Sequence, residues 1–142
     1  MIDYDTAKQA CETYIRSLEN SDLETLLDLF ADDASIEDPV GTDLREGKDV
    51  LRAFYSEACQ GVAKAELTGN PRLAGNEVAF PFKVTAGAPG QEIVINIIDV
   101  FKFNDEGKVA TTRAFRGPDN RAGESPTKRQ VLAPVSPQGD CG

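Results

Sequence analysis

Three polar residues, Tyr14, Asp38 and Asp99, fall where the pattern of the chain otherwise asks for apolar side chains. In VINIIDVFKF, residues 94–103, strand alternation puts Ile95, Ile97, Asp99, Phe101 and Phe103 on one side, with Val94, Asn96, Ile98, Val100 and Lys102 on the other. Asp99 thus interrupts a hydrophobic row. An ionised carboxylate is costly to bury unpaired, so such a group shifts its pKa and stays neutral, and a neutral carboxylic acid donates a hydrogen bond. Asp38 shares a face with Ile36 in ASIEDPVG, and Tyr14 lies on the apolar side of a helical pattern.

Each residue also has an ordinary reading. A buried tyrosine is commonly a core residue whose hydroxyl finds a nearby carbonyl. An Asp before Pro is commonly a turn or cap, and a buried Asp can belong to a structural pair. Together, around an apolar pocket, the three suggest acid–base work on a hydrophobic substrate. A partly solvated Asp38 would stay ionised as a base while the deeper Asp99 stays protonated, since two carboxyl groups with separated pKa values mark an acid/base site. Tyr14 would add a second donor. Two donors aimed at one oxygen stabilise an oxyanion, which enolisation of a ketone requires.

Composition narrows the alternatives. The net charge of -9 and pI near 4.5 oppose nucleic-acid and anionic-membrane partners, which need concentrated Lys and Arg. The chain has no histidine, which removes Ser-His-Asp and Cys-His triads and the usual zinc sites. It also lacks a G-x-G-x-x-G or Walker motif, so no nucleotide cofactor and no metal is expected. Cys11, Cys59 and Cys141 show no metal-ligand or disulfide-framework spacing and read as inert. The polar, acidic start MIDYDTAKQA is unlike a signal peptide, and no apolar run is long enough to span a membrane, so a cytoplasmic protein is expected.

At 142 residues, one domain is expected. From Asp5 to Glu19, Ala7, Ala10, Cys11, Tyr14, Ile15 and Leu18 recur at helical spacing. Ser21 and Glu24 fit a capping box opening a short second helix through Leu23, Leu26, Leu27 and Phe30, to end near ADD. ASIEDPVG reads as extended, and a third helix from about Lys48 to Cys59 would bury Val50, Leu51, Phe54, Tyr55 and Ala58. Thereafter the period becomes two. VAKAELTG, NPRLAG, EVAFPFKVTAG, QEIVINIIDVFKF and KVATTRAFRG read as strands, with NDEG at 104–107 as a hairpin turn. Helices followed by strands imply an α+β class, with helices packed on a curved sheet. The Pro-, Gly-, Ser- and charge-rich composition beyond Pro118 predicts a domain over 1–120 and a flexible tail over 121–142.

The segments LFADDASIEDPVG (29–41), YI (14–15), AFYSEA (53–58), VAFPF (78–82) and IIDVFKFNDEGKV (97–109) resemble ketosteroid isomerase, the steroid Δ-isomerase, from about Ala7 to Asn120. The FADDAxxEDPxG portion is shared across the wider nuclear-transport-factor-2-like and SnoaL-like superfamily, so Tyr14 and Asp99 carry most of the specificity. The resemblance implies a cone-shaped fold and a homodimer. It also implies that Asp38 moves a proton from C4 to C6 of a 5-ene-3-ketosteroid while Tyr14 and Asp99 hold the 3-keto oxygen. Ketosteroid isomerase is the established case of this chemistry, so those roles come from the resemblance and not from spacing. It further implies a substrate pocket lined by Phe54, Phe80, Phe82, Phe101 and Phe115, with Tyr55 near the base or donor. Two departures stand out. Phe30 occupies a place where some relatives carry another tyrosine, and Arg116 stands where an aromatic residue often lies beside the base.

Overall fold

A computed structural model describes residues 2–122. Helix α1 (Tyr4–Asn20) starts where Asp3 caps the backbone N–H of Thr6, and it buries Ala7, Cys11, Tyr14, Ile15 and Leu18 along one stripe. It ends at Ser21, whose left-handed φ of 55° closes the last turn, while the Ser21 hydroxyl donates to the Cys59 carbonyl. The second helix, α2 (Leu23–Asp28), is therefore capped by Asp22, which accepts from Thr25 N–H, and not by Ser21 as its sequence predicts. It also stops before Phe30, which opens strand β1 (Phe30–Glu37). A register irregularity between Phe30 and Ser35 breaks the alternation that would have marked FADD as strand.

Strand β2 (Arg45–Glu46) precedes α3 (Lys48–Gln60), whose buried face is Leu51, Tyr55 and Cys59. Val50, expected inside, is 42% exposed because it lies one residue off that stripe. Strands β3 (Val62–Leu67), β4 (Arg72–Ala74), β5 (Glu77–Ala86), β6 (Ile93–Phe103) and β7 (Val109–Phe115) follow the sequence expectation. After a 3-10 turn at Pro118–Asn120 comes a short β8 (Arg121–Ala122), which pairs with β6. Of the tail expected over 121–142, Arg121 and Ala122 thus form a paired strand, and the rest lies outside the described residues.

One mixed sheet runs β2-β1-β7-β6-β5-β3, with β4 on β5 and β8 on β6. Among the described residues every pairing is antiparallel except β1 with β7, which brings the early strand beside the last long one. Pro81 has no N–H for a ladder and sits in β5 where β3 ends and β4 takes over. The helices cover the inner face of the curved sheet, and the core lies between them. Cys11 and Cys59 are buried there as free thiols, and burial pushes the Cys11 thiol up to about 12.

Candidate active site

Strand alternation delivers Asp99 to the inner face as its sequence predicts. Its neighbours across the ladder are Phe80 on β5 and Ala114 on β7, with Ile97 and Phe101 before and after it on the same face. These groups exclude water: Asp99 is 1% exposed. Desolvation, and then the charge of Asp38, push its pKa well above the usual carboxylate range, and the Tyr14 hydroxyl works in the opposite direction. Burial thus favours the protonated form of Asp99. Its Oδ1 is buried and has no hydrogen-bond partner among the described residues.

Tyr14 reaches the same place from α1. Its ring meets Phe80, Phe82, Phe101 and Tyr55 edge to face at 5.2–6.2 Å, which fixes the phenol without a polar contact to the ring. The Tyr14 and Tyr55 hydroxyls are 3.1 Å apart. Both phenols are held well above their ordinary pKa, first by burial. Phe30 packs against Tyr55 at 5.7 Å and supplies no hydroxyl, so Tyr55 is the tyrosine that partners Tyr14.

Asp38 lies just past the end of β1. The β1–β7 pairing aligns Glu37 with Arg113, and Val40 N–H donates to the Ala114 carbonyl at 2.8 Å, pinning the segment beside β7. Arg116 Nε donates to Asp38 Oδ1 at 3.0 Å, with the Asp38 side chain 12% exposed. Burial raises the Asp38 pKa above its ordinary value, against the opposing pull of Arg116 and then Arg45.

These side chains converge on one cavity of about 240 Å³. Tyr14, Asp38 and Asp99 all line it, with Tyr55, Phe54 and Ala58 from α3, Phe82 and Val84 from β5, and Ile95 and Ile97 from β6. Arg116 is part of the same wall. The expected lining by Phe80 and Phe101 is corrected: both are fully buried beneath the Tyr14 ring and behind the cavity surface. Phe115 is corrected as well. It is 42% exposed on the outer face of the sheet, beneath the Arg113 guanidinium, because in β7 it has the parity of Arg113 and not of Thr112 and Ala114. Arg45, which the sequence reading did not single out, stacks over Phe54 at 5.2 Å. Chemically, the cavity offers two carboxyl groups in unlike settings, Asp38 paired with Arg116 and Asp99 fully desolvated, together with a phenol around an apolar space.

Comparison with known proteins agrees with this architecture. Residues 11–112 match the SnoaL-like domain family, and the chain belongs to it. The chain is 34% identical over 111 residues to a steroid Delta-isomerase of Nocardioides simplex, covering 78% of this chain and 89% of that protein. It is 32% identical over 116 residues to the epoxide hydrolase LasB of Streptomyces lasalocidi, covering 78% of this chain but only 41% of that longer protein. Among solved structures, the epoxide hydrolase/cyclase-like enzyme SalBIII, described for pyran ring formation in polyether salinomycin, superposes with a TM-score of 0.78 at 27% identity. That match covers 87% of this chain and the whole of SalBIII. All three of these proteins are described as enzymes, one a steroid isomerase, one an epoxide hydrolase and one epoxide hydrolase/cyclase-like.

Proposed function

We propose that this protein is a cofactor-independent steroid Δ-isomerase, shifting the C5–C6 double bond of a 5-ene-3-ketosteroid to C4–C5. The observation that carries the reading is the convergence of Tyr14 and the desolvated Asp99 in an apolar cavity that Asp38 also faces. Asp38 takes the acidic proton at C4. The electrons of that C–H bond form a C3–C4 double bond as the carbonyl π pair moves to the ketone oxygen, and Tyr14 and Asp99 donate hydrogen bonds to the growing oxyanion of the dienolate. Protonated Asp38 then returns the same proton to C6, and the dienolate collapses to the conjugated ketone. No atom is gained or lost.

The cavity, at about 240 Å³, is slightly smaller than the roughly 300–1,000 Å³ typical of ligand sites. A steroid would bury its ketone end and project its far end from the mouth. The family resemblance further supports a homodimer, which sedimentation equilibrium tests.

A second reading is epoxide opening, favoured by the two carboxyl groups that line the same cavity and by the likeness to LasB and SalBIII. Asp99 would protonate the epoxide oxygen while Asp38 deprotonates the attacking hydroxyl or water. The deciding experiment follows conjugated-enone absorbance from a 5-ene-3-ketosteroid, with Asp38→Asn in parallel and an epoxide substrate assayed separately. Rapid absorbance growth lost in Asp38→Asn supports the isomerase. Turnover of the epoxide alone supports the second reading, and tight binding of a phenolic steroid such as equilenin without turnover makes the pocket a receptor site.

A further inference from the structure

We propose that Arg116 is a positioning residue for Asp38, clamping the carboxylate of the base against the cavity wall in its ionised form. The inference rests on the reading of Asp38 as the base. Two carboxylate–arginine pairs form at the β1–β7 junction, one on each face of the sheet. Glu37 takes Arg113 at 3.0 Å on the outer side, and Asp38 takes Arg116 at 3.0 Å on the inner side. Arg113 lies over Phe115 and is committed to the outer surface. Arg116 instead lines the cavity that Asp38 lines.

The backbone makes this clamp rigid. Parallel pairing of Glu37 with Arg113 and the Val40–Ala114 hydrogen bond fix the two segments that carry the ion pair, so neither partner has to be recruited by a flexible loop. Both side chains are mostly buried, at 12% exposed for Asp38 and 21% for Arg116, so solvent screens their attraction less than at an open surface.

The other groups acting on Asp38 come from four elements. Arg45 on β2 adds a second, weaker positive influence, while burial favours the uncharged forms of Asp99 on β6, Tyr14 on α1 and Tyr55 on α3. Desolvation alone favours a protonated, inactive Asp38, and Arg116 is the largest influence opposing it. The clamp therefore extends the range in which the base is ready towards acid pH. It also weakens the base, because proton capture breaks a charge-assisted bond.

The test titrates the Asp38 carboxyl by carbon-13 NMR in ligand-free wild type, Arg116→Met, Arg116→Gln and Arg116→Lys, and measures kcat/KM against pH in the same proteins. In Arg116→Met and Arg116→Gln the Asp38 midpoint and the acid limb of kcat/KM should both move up by about one pH unit or more. Arg116→Lys should restore most of the difference. An Asp38 midpoint unmoved in either folded neutral variant overturns the proposal, and the glutamine and lysine variants decide it if the methionine variant does not fold. Because the titration needs no substrate, a midpoint that moves in a protein lacking isomerase activity refutes the proposed reaction while leaving the clamp intact. Retained isomerase activity with an unmoved midpoint does the reverse.

Discussion

The hydroxyls of Tyr14 and Tyr55 lie 3.1 Å apart, and only one of them can donate to the other. For Tyr14 to direct its proton to a ligand oxygen, Tyr55 must donate to Tyr14. That chain polarises the Tyr14 proton towards the cavity. Tyr55→Phe should keep the ring that packs on Phe30 and Phe54 and remove only the donor. Steady-state kinetics should show kcat reduced about tenfold with KM little changed, against the larger loss expected for removing a direct oxyanion donor. An unchanged kcat would mean that Tyr14 needs no support.

Asp99→Asn and Asp99→Leu separate hydrogen-bond donation from acidity. The amide can still donate to an oxyanion, whereas leucine leaves Tyr14 alone. Turnover should fall by about 10²–10³-fold in Asp99→Leu and by less in Asp99→Asn. Equal losses in the two variants would show that donation by Asp99 is not what matters.

The same residue makes stability depend on pH. Its folded pKa is raised by burial, so between the unfolded value of roughly 3.9 and the higher folded value the native chain holds a proton that the unfolded chain has lost. The unfolded state binds fewer protons there, and stability must fall as pH rises. Its contribution is whole below the unfolded value and is lost as pH climbs through the folded one, with a limiting slope of about 1.4 kcal/mol per pH unit. Urea denaturation at a series of pH values should show this slope in wild type and its reduction in Asp99→Asn. A wild-type curve parallel to that of the variant would mean that Asp99 ionises normally.

Phe54 and Phe115 offer a matched pair of aromatic truncations. Phe54 lines the cavity, whereas Phe115 faces outward under Arg113. Phe54→Ala should weaken equilenin binding about tenfold or more through lost apolar contact, and Phe115→Ala should leave it within about twofold. Isothermal titration calorimetry measures both. A larger effect at Phe115 would place the ligand on the other side of the sheet.

The inward position of Asp99 was legible because period-two alternation is unbroken from Ile95 to Phe103, and the Tyr14 stripe was legible from helical spacing. Parity says which face a residue takes but not how far along that face a cavity begins. Phe80 and Phe101 therefore lie on the side that alternation predicts but deeper than the cavity surface. Phe115 is a different case, since counting parity through VATTRAF would have turned it outward and turned Arg116 inward with Thr112 and Ala114. The start of β1 was hidden by its register irregularity, and the Ser21 cap by a competing Asp22 one residue later. The ion pair between Asp38 and Arg116 is a long-range contact, 78 residues apart, and no local pattern encodes it.

That separation also orders events during synthesis and folding. The first strand has its parallel partner only when the last long strand arrives, so β1 must wait with one edge unsatisfied while nearly the whole domain is made. Pairings of such high sequence separation form late, because the entropy of closing the long loop must be offset by contacts already in place. Asp38 therefore acquires its cavity wall and its Arg116 partner at the end of assembly. A nascent chain that stops short of β7 would expose an apolar strand edge and lack the cavity wall that Ala114 and Arg116 supply, so the pocket closes only once β7 has been made.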